Sequence, residues 1–191
     1  MAEHHLAAYT FNQFVAPYLS ETISGFRNAE PDVFQTMEAA AGFIARAGYD
    51  GEERFTTWGE QVFPSCWDNC NGDGWAPSTL SLWDSPEALM AATYRGPHGK
   101  ILRYGKDWHI KADQIPEYVL WWVAKDHTPN WAEAVLRFET LMQQGATPKA
   151  FTFKALFDQN GKSAKPDLSK VKALAQANAQ NTSPNELSPE R

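Results

Sequence analysis

The chain has 191 residues, of which 43% are hydrophobic and 13% aromatic, and its formal net charge is −6. At roughly 150 residues per domain, this length predicts one domain with a modest excess, and the apolar content excludes a disordered tail protein. The acidic charge argues against nucleic-acid binding, and the absence of a secretion signal or of about 18 consecutive apolar residues predicts a cytoplasmic protein that does not span a membrane.

The first part of the chain predicts strand, helix and strand, followed by a long loop. Apolar side chains alternate over residues 5–11, which is typical of a strand. Apolar residues then recur at helical spacing over residues 15–41, and residues 28–31 interrupt them, so we expect one broken helix or two. A short strand over residues 43–47 precedes residues 48–77, which are rich in Gly, Pro, Asn and Asp and predict a loop.

The middle of the chain repeats this order. Residues 79–83 alternate as a strand, and Ser85 and Pro86 are a typical helix start, so a helix should run to Arg95. A further helical segment follows, and one of its faces would carry His98, Ile101, Leu102, Gly105 and Trp108.

The last part of the chain predicts the final strand of the core, followed by an extra C-terminal helix and strand. Residues 118–124 are apolar on both alternating faces, as in a central strand that is covered on each side. Asn130 and Glu133 form a capping box for an amphipathic helix that Gly145 closes. We expect a last strand over residues 150–154.

Two domain segments follow from this order. Residues 1–159 form the domain, and residues 160–191 form a tail with a marginal helix over residues 167–176 and about fifteen disordered residues at its end. The fold class is α+β, with a ferredoxin-like βαββαβ core, an antiparallel sheet and helices on one face. Because the other face would be bare and apolar, we expect a homodimer.

Several motifs lie in these elements. The chain reads HLAAYTF over residues 5–11, TLSLWDSPEALMAATYRGPHGKILRYGKDWH over residues 79–109 and EYVLWWVAKDHTPNWAEAVLRFETLMQQGATPKAFTF over residues 117–153. They contain the runs Leu-Trp-x-Ser, Tyr-Arg-x-x-His, Trp-Trp-Val and Thr-Pro-x-Ala-Phe-Thr-Phe. On these motifs, about residues 5 to 157 resemble the domain-of-unknown-function 3291 family of the dimeric α+β barrel superfamily, which is related to antibiotic-biosynthesis monooxygenase-like proteins.

The resemblance implies a dimeric barrel with a pocket between the sheet and the helices of each subunit. The superfamily includes cofactor-free quinone-forming monooxygenases, heme-degrading oxygenases, heme-dependent dehydratases and peroxidases, muconolactone isomerases and proteins without known activity. Fold analogy does not choose among them. Residues 52–77 depart from the family pattern because they are longer and contain cysteines.

His98 is the first candidate catalytic residue, because an imidazole on an inward face can act as a general base or bind heme iron. The alternative is a capping histidine that bonds a backbone carbonyl. Tyr94 lies beside it in sequence, Arg103 could neutralise a developing anion, and His5 shares a strand face with aromatic residues. His109 and His127 lie near the ends of segments, where a solvated or capping role is commoner.

Aromatic residues are the candidates for binding a substrate. They are Tyr9, Trp67, Trp75, Trp83, Trp108, Trp121 and Trp122. The alternative for each tryptophan is a place in the core or in a dimer interface. Trp121 and Trp122 must face opposite sides of their strand, so at most one of them lines a given cavity.

The loop over residues 48–77 carries no complete metal motif. Cys66 and Cys70 lack a second pair of zinc ligands. Asn69 and Asp73 imitate a calcium loop, but Leu80 stands where the bidentate glutamate should be. The aromatic side chains of this loop instead predict a folded lid over the pocket.

Two functional hypotheses follow. The first is a homodimeric enzyme acting on a hydrophobic, aromatic or polyketide-like substrate, either monooxygenase-like or by acid/base dehydration, isomerisation or cyclisation, without a cofactor or with heme. The second is a non-catalytic dimer that binds aromatic ligands or heme. The chain has no phosphate-binding loop and no Gly-x-Ser-x-Gly elbow, which disfavours nucleotide chemistry and hydrolysis.

Overall fold

The computed structural model describes residues 4–181. Its strands are β1 His4–Phe11, β2 Phe43–Arg46, β3 Ser78–Trp83, β4 Tyr118–Ala124, β5 Leu156–Phe157 and β6 Ser163–Ala164. Its helices are α1 Ser24–Glu38, α2 Pro86–Tyr94, α3 Gly96–Ile101, α4 Gly105–Trp108, α5 Trp131–Gln144 and α6 Leu168–Asn181, with 3₁₀ turns over Glu21–Ile23 and Leu102–Tyr104. Among these helices of the described chain, none combines the length and the apolar character needed to cross a bilayer.

The sheet has four antiparallel strands in the order β2-β3-β1-β4. Tyr9, in the middle of β1, lies opposite Leu80 of β3 and Val119 of β4. The fold is therefore α+β, and the strands predicted over residues 5–11, 43–47, 79–83 and 118–124 are confirmed. A separate two-stranded sheet joins β5 and β6.

Both faces of the sheet are covered within one chain. On one face, the ring of Tyr9 packs edge-on against Phe138 of α5. On the other face, Leu6 of β1 shares a buried cluster with Ala88 of α2. The prediction of helices on one face is wrong, because β1 is apolar on both faces and α5 has an apolar stripe of its own to bury. The homodimer stays a prediction, but the bare face that suggested it is not found in the described residues.

The helix predicted over residues 15–41 differs in both its start and its continuity. Residues 15–20 are not helical, since Phe14 bridges His109 and the Val15 amide donates to the Trp108 carbonyl at 2.9 Å. The helix α1 then continues through Pro31 without the predicted interruption. Pro31 is exposed, and because it has no N–H, the Arg27 carbonyl loses its partner within the helix.

The predicted helix caps are present. The Ser85 hydroxyl accepts a hydrogen bond from the Ala88 amide, which starts α2. The Asn130 side chain accepts one from the Glu133 amide at 2.8 Å, which starts α5. Gly145 closes α5 with a positive φ of 72°, a conformation that costs glycine little.

The C-terminal part holds two corrections. Residues 150–154 do not form a strand: only Phe151 bridges β4, at Leu120, because tight reversals flank it on both sides. The predicted helix over residues 167–176 is longer, and α6 packs against α2, where the Asp167 amide donates to the Glu87 carboxylate at 3.0 Å. Of the residues predicted to be disordered, 177–181 are helical and 182–191 lie outside the described residues.

Candidate functional site

His98 lies in α3 and bonds the backbone. Its Nδ1 donates a hydrogen bond to the Thr93 carbonyl over 2.8 Å, because a carbonyl can only accept. Burial lowers the pKa of the imidazole, which favours the neutral ring at pH 7. This geometry matches the capping alternative, and the roles of His98 as general base or heme ligand stay predictions.

The other predicted catalytic residues lie elsewhere in the fold. Tyr94 is partly exposed, with its ring edge-on to Phe153. Arg103 is exposed on the 3₁₀ turn after α3. His5 lies near the start of β1, opposite Val123 of β4. Within the described residues, these side chains share no hydrogen bond or ring contact with His98, so the structure does not bring them together as one site.

The predicted tryptophans on the strands divide between the two faces of the sheet. Trp121 lies on the α5 face and donates to the Glu133 carboxylate at 3.1 Å. Trp122 and Trp83 lie on the opposite face, where they donate to the Phe157 carbonyl at 2.8 Å and the Ser81 hydroxyl at 2.9 Å. The structure therefore separates Trp121 from Trp122, as strand alternation requires.

The other tryptophans predicted to bind a substrate pack in separate parts of the structure. Trp67 packs on Phe63, with ring centroids 4.2 Å apart, and both join the core that contains Tyr9. Trp108 packs edge-on against Phe26 of α1. Trp75 is separate from these residues and partly exposed.

The structure does bring together a tyrosine, a glutamate and Trp75. The Tyr18 hydroxyl donates to Oε2 of Glu30 on α1 at 2.7 Å. The ring of Tyr18 stacks on Trp75, with centroids 5.4 Å apart and an interplanar angle of 27°. Tyr49 lies edge-on to the same indole at 6.3 Å. We call Tyr18, Glu30, Tyr49 and Trp75 the Glu30 site.

Loop contacts hold Tyr18 in place. The Asp73 carboxylate accepts from the Tyr18 amide at 2.7 Å, and the Asn71 amide group donates to the Phe14 carbonyl at 2.9 Å. From the other side, Arg27 of α1 donates to the Tyr18 carbonyl. Since the loop and α1 both form hydrogen bonds with residues 14–18, the Tyr18 side chain is positioned before any ligand binds.

The surroundings of Glu30 disfavour its charge. Burial raises the pKa of this carboxyl group, while the hydrogen bond from Tyr18 and the positive charge of Arg46 act to lower it. Burial, followed by the hydrogen bond to Glu30, raises the pKa of Tyr18 to about 12. At neutral pH the Tyr18 phenol therefore keeps its proton and donates a hydrogen bond to Glu30, and the raised pKa makes the Glu30 carboxylate a stronger base than an exposed one.

Arg46 fixes the start of the loop against α1 next to this site. Its Nε donates to Glu38 of α1 at 2.8 Å, and its other nitrogens pair with Glu52 of the loop. The guanidinium carbon lies over the rings of Phe34 and Phe55, 4.5 and 4.1 Å from their centroids. This pairing lowers the pKa of Glu52. Because its donors are used by these carboxylates, Arg46 acts as an anchor rather than as an open anion site.

Sequence reasoning missed Glu30, Tyr18 and Tyr49. A usable signal existed for Glu30, which falls four residues after Phe26 and four before Phe34 on the apolar face of α1. A carboxylate on an apolar helix face is unusual, because burying its charge is costly, and it therefore suggests a functional role. The predicted break over residues 28–31 concealed it. Tyr49 lies in the loop, where the sequence has no helical or strand pattern from which its contacts could be predicted.

No metal site is found in residues 4–181. They contain no group of three or more His, Cys, Asp or Glu side chains able to hold a metal ion. Cys66 and Cys70 are free thiols. The Asp73 carboxylate of the calcium-like sequence accepts from the amides of Tyr18 and Trp75.

A small cavity lies beside α3. The cavity between α1 and α3 has a volume of about 190 Å³, and Ala29, Asp32, Val33, Lys100 and Ile101 line it. Pockets for drug-sized ligands have volumes of roughly 300–1,000 Å³, and no histidine is among these lining residues. A second small cavity lies between α2 and α6 and is lined mainly by alanines.

Comparison with known proteins identifies a family but no function. No curated protein and no solved structure matches the chain. The family model described as "Domain of unknown function (DUF3291)" matches residues 5–167. Because this match covers most of the 191 residues, the chain belongs to the DUF3291 family.

Proposed function

We propose that this protein is an acid/base enzyme for a small, planar, hydrophobic substrate, with the Glu30 carboxylate as the group that transfers the proton. The observation that carries the proposal is the 2.7 Å hydrogen bond between Tyr18 and Glu30, at a position where burial raises the pKa of the carboxyl group. Such a carboxylate is a stronger base than an exposed one, and its acid form persists to higher pH.

Each residue of the site has a role in this chemistry. Tyr18 holds Oε2, and within the described residues no second hydrogen bond to the Glu30 carboxylate is formed, so Oε1 serves as the proton acceptor. The partly exposed indole of Trp75 offers a flat surface on which an aromatic ring can stack. Glu30 removes a proton from a substrate carbon next to a carbonyl group, and the electron pair of that C–H bond is delocalised onto the carbonyl to form an enolate. Glu30 then returns the proton to the same carbon or to a conjugated one. The net change is an isomerisation that needs no oxidant.

We also propose that the fold is a ferredoxin-like arrangement. The order β4-β1-β3-β2, together with the β1-α1-β2-β3-α2-β4 chain order, supports a ferredoxin-like arrangement. A dimeric barrel and a relationship to antibiotic-biosynthesis monooxygenase-like proteins are consistent with that topology, although α5 covers the face that a barrel partner needs. No step of the proposed chemistry uses heme.

Deuterium exchange tests the proposal without a known natural substrate. 2-Tetralone is a planar aromatic ketone with acidic C–H bonds, and in D₂O an acid/base catalyst accelerates its exchange, which mass spectrometry follows. We expect wild-type protein to catalyse this exchange saturably and Glu30→Gln to lose about 10²-fold or more of the rate. Glu53→Gln is the matched control, because Glu53 is an exposed loop carboxylate; it should keep the full rate.

Two results would overturn the proposal. If Glu30→Gln exchanges deuterium at the wild-type rate, Glu30 is not the catalytic base. If His98→Ala loses the rate while Glu30 is intact, His98 is the catalytic base instead. Saturable binding without exchange supports the second functional hypothesis, a non-catalytic carrier of aromatic ligands.

A further inference from the structure

The hydroxyl group of Tyr9 is enclosed without a hydrogen-bond partner. Tyr9 is 0% exposed, and no described residue bonds its Oη. Leaving a buried hydroxyl unpaired is costly, so native proteins rarely do it without a reason. The nearby Tyr49 makes the contrast clear, because its hydroxyl donates to the Ser78 carbonyl at 2.7 Å.

The walls around Tyr9 are apolar and largely aromatic. Trp131 and Phe138 of α5 lie edge-on to its ring, at 6.3 and 5.7 Å. Phe63, Cys66 and Trp67 of the loop pack against the same cluster. Burial raises the pKa of the Tyr9 phenol, so it remains a neutral hydrogen-bond donor. One donor in an apolar aromatic surround is the composition of a small-molecule site.

Residues 58–67, which we call the cover, lie over this cluster and contain no helix or strand. Few hydrogen bonds join the cover to the rest of the described chain. The Trp131 amide donates to the Trp58 carbonyl at 3.2 Å, Gln61 donates to the Ser78 hydroxyl at 2.9 Å, and the Ser65 amide donates to the Glu139 carboxylate at 2.8 Å. A segment held by so few bonds can open at a low cost relative to global unfolding.

We propose that the cover opens to admit a flat, apolar ligand with one hydrogen-bond acceptor, and that the Tyr9 hydroxyl donates to that acceptor. The ligand class is an aromatic ketone, ester or ether. Its ring replaces the contacts that the aromatic side chains of the cover make with the cluster, and its oxygen accepts the hydrogen bond from the Tyr9 hydroxyl. This site does not depend on Glu30 and does not require catalysis.

Two variants test whether the Tyr9 hydroxyl is free of partners. We expect Tyr9→Phe to unfold at the same or a higher urea concentration than wild type, because it removes an unpaired hydroxyl. Tyr49→Phe is the matched control and should unfold at a lower concentration, because it leaves the Ser78 carbonyl without its donor. If Tyr9→Phe is destabilised as much as Tyr49→Phe, the hydroxyl already has a partner such as a buried water, and the proposal is overturned.

Two matched probes test the binding itself. 2-Acetylnaphthalene carries a carbonyl acceptor, and 2-ethylnaphthalene has the same shape without it. By calorimetry, wild type should bind the ketone about tenfold more tightly than the hydrocarbon, the value of one hydrogen bond, and Tyr9→Phe should lose this preference. Equal binding of both probes by wild type, a preference that survives in Tyr9→Phe, or no saturable binding would each contradict the site.

The rate of association tests the role of the cover. Glu139→Gln weakens the bond to the Ser65 amide, so it should raise the association rate of 2-acetylnaphthalene in stopped-flow fluorescence. An unchanged rate would show that the cover does not open during binding. Since none of these measurements uses 2-tetralone exchange, failure here and failure of the Glu30 proposal are distinguishable.

Discussion

His109 makes the stability of this protein depend on pH in a way that one substitution can isolate. Its ring packs against Phe14 and Phe26, with centroids 5.8 and 5.7 Å away, and its Nε2 is buried without a partner among the described residues. Burial lowers the pKa of the imidazole to about 4 from its ordinary value of 6.5. The folded protein therefore resists the protonation that the unfolded chain accepts.

The sign and size of the effect follow from linkage. Well above pH 6.5 the imidazole is neutral in both the folded and the unfolded state, and His109 contributes no pH dependence. Below it, the unfolded chain binds a proton that the folded protein does not, so the free energy of unfolding falls as the pH falls. A shift from 6.5 to about 4 corresponds to a loss of roughly 2 kcal/mol by pH 5 and roughly 3 kcal/mol by pH 4.

Urea unfolding of wild type and His109→Phe between pH 7 and pH 4 measures this loss. Phenylalanine keeps a ring of similar size in the aromatic surround but cannot be protonated, so the variant should lose about 2 kcal/mol less than wild type between pH 7 and pH 5. Glu30 acts in the opposite sense, because its raised pKa favours proton uptake by the folded state, and both proteins share this contribution. Parallel stability curves for the two proteins would refute the assignment to His109.

Two further predictions concern stability. Arg46→Met should lower the free energy of unfolding by about 3–5 kcal/mol, because it leaves Glu38 and Glu52 without their buried partner; Arg54→Met, which removes a 73% exposed partner of the same Glu38, should cost less than about 1 kcal/mol. A similar loss in both variants would contradict the anchoring role of Arg46. Asn130→Ala should cost about 1 kcal/mol in thermal or urea unfolding, because it removes the cap of α5. Asn28→Ala, at an exposed position within α1, is its control and should cost nothing, and equal losses would remove the cap as the cause.

Local patterns were sufficient for the elements with strong alternation or caps. The strands β1, β3 and β4 and the starts of α2 and α5 follow from side chains that lie next to one another in sequence. The strand predicted over residues 150–154 failed because its pairing depends on the reversals around Phe151, which periodicity does not show. The prediction of helices on one face failed because the sequence does not say which elements α5 will cover.

The candidate site was less predictable than the fold. The Glu30 site joins α1, the loop and residues 14–18, so its members are distant in sequence and come together only through contacts such as Asp73 with the Tyr18 amide. His98 drew attention because imidazole is chemically versatile, yet its Nδ1 serves the Thr93 carbonyl. Of the predicted binding residues, Trp75 alone lies at the Glu30 site, and Tyr9 lies under the cover.

The most direct test of the central claim is the pH dependence of 2-tetralone exchange in wild type and Tyr18→Phe. The rate should rise with pH as Glu30 loses its proton, with an inflection above the ordinary glutamate range, because burial raises the pKa of this group. The Tyr18 hydrogen bond lowers the pKa of Glu30, so its removal should move the inflection to higher pH. An inflection that stays in place in Tyr18→Phe, or a rate independent of pH, would contradict Glu30 as the catalytic base.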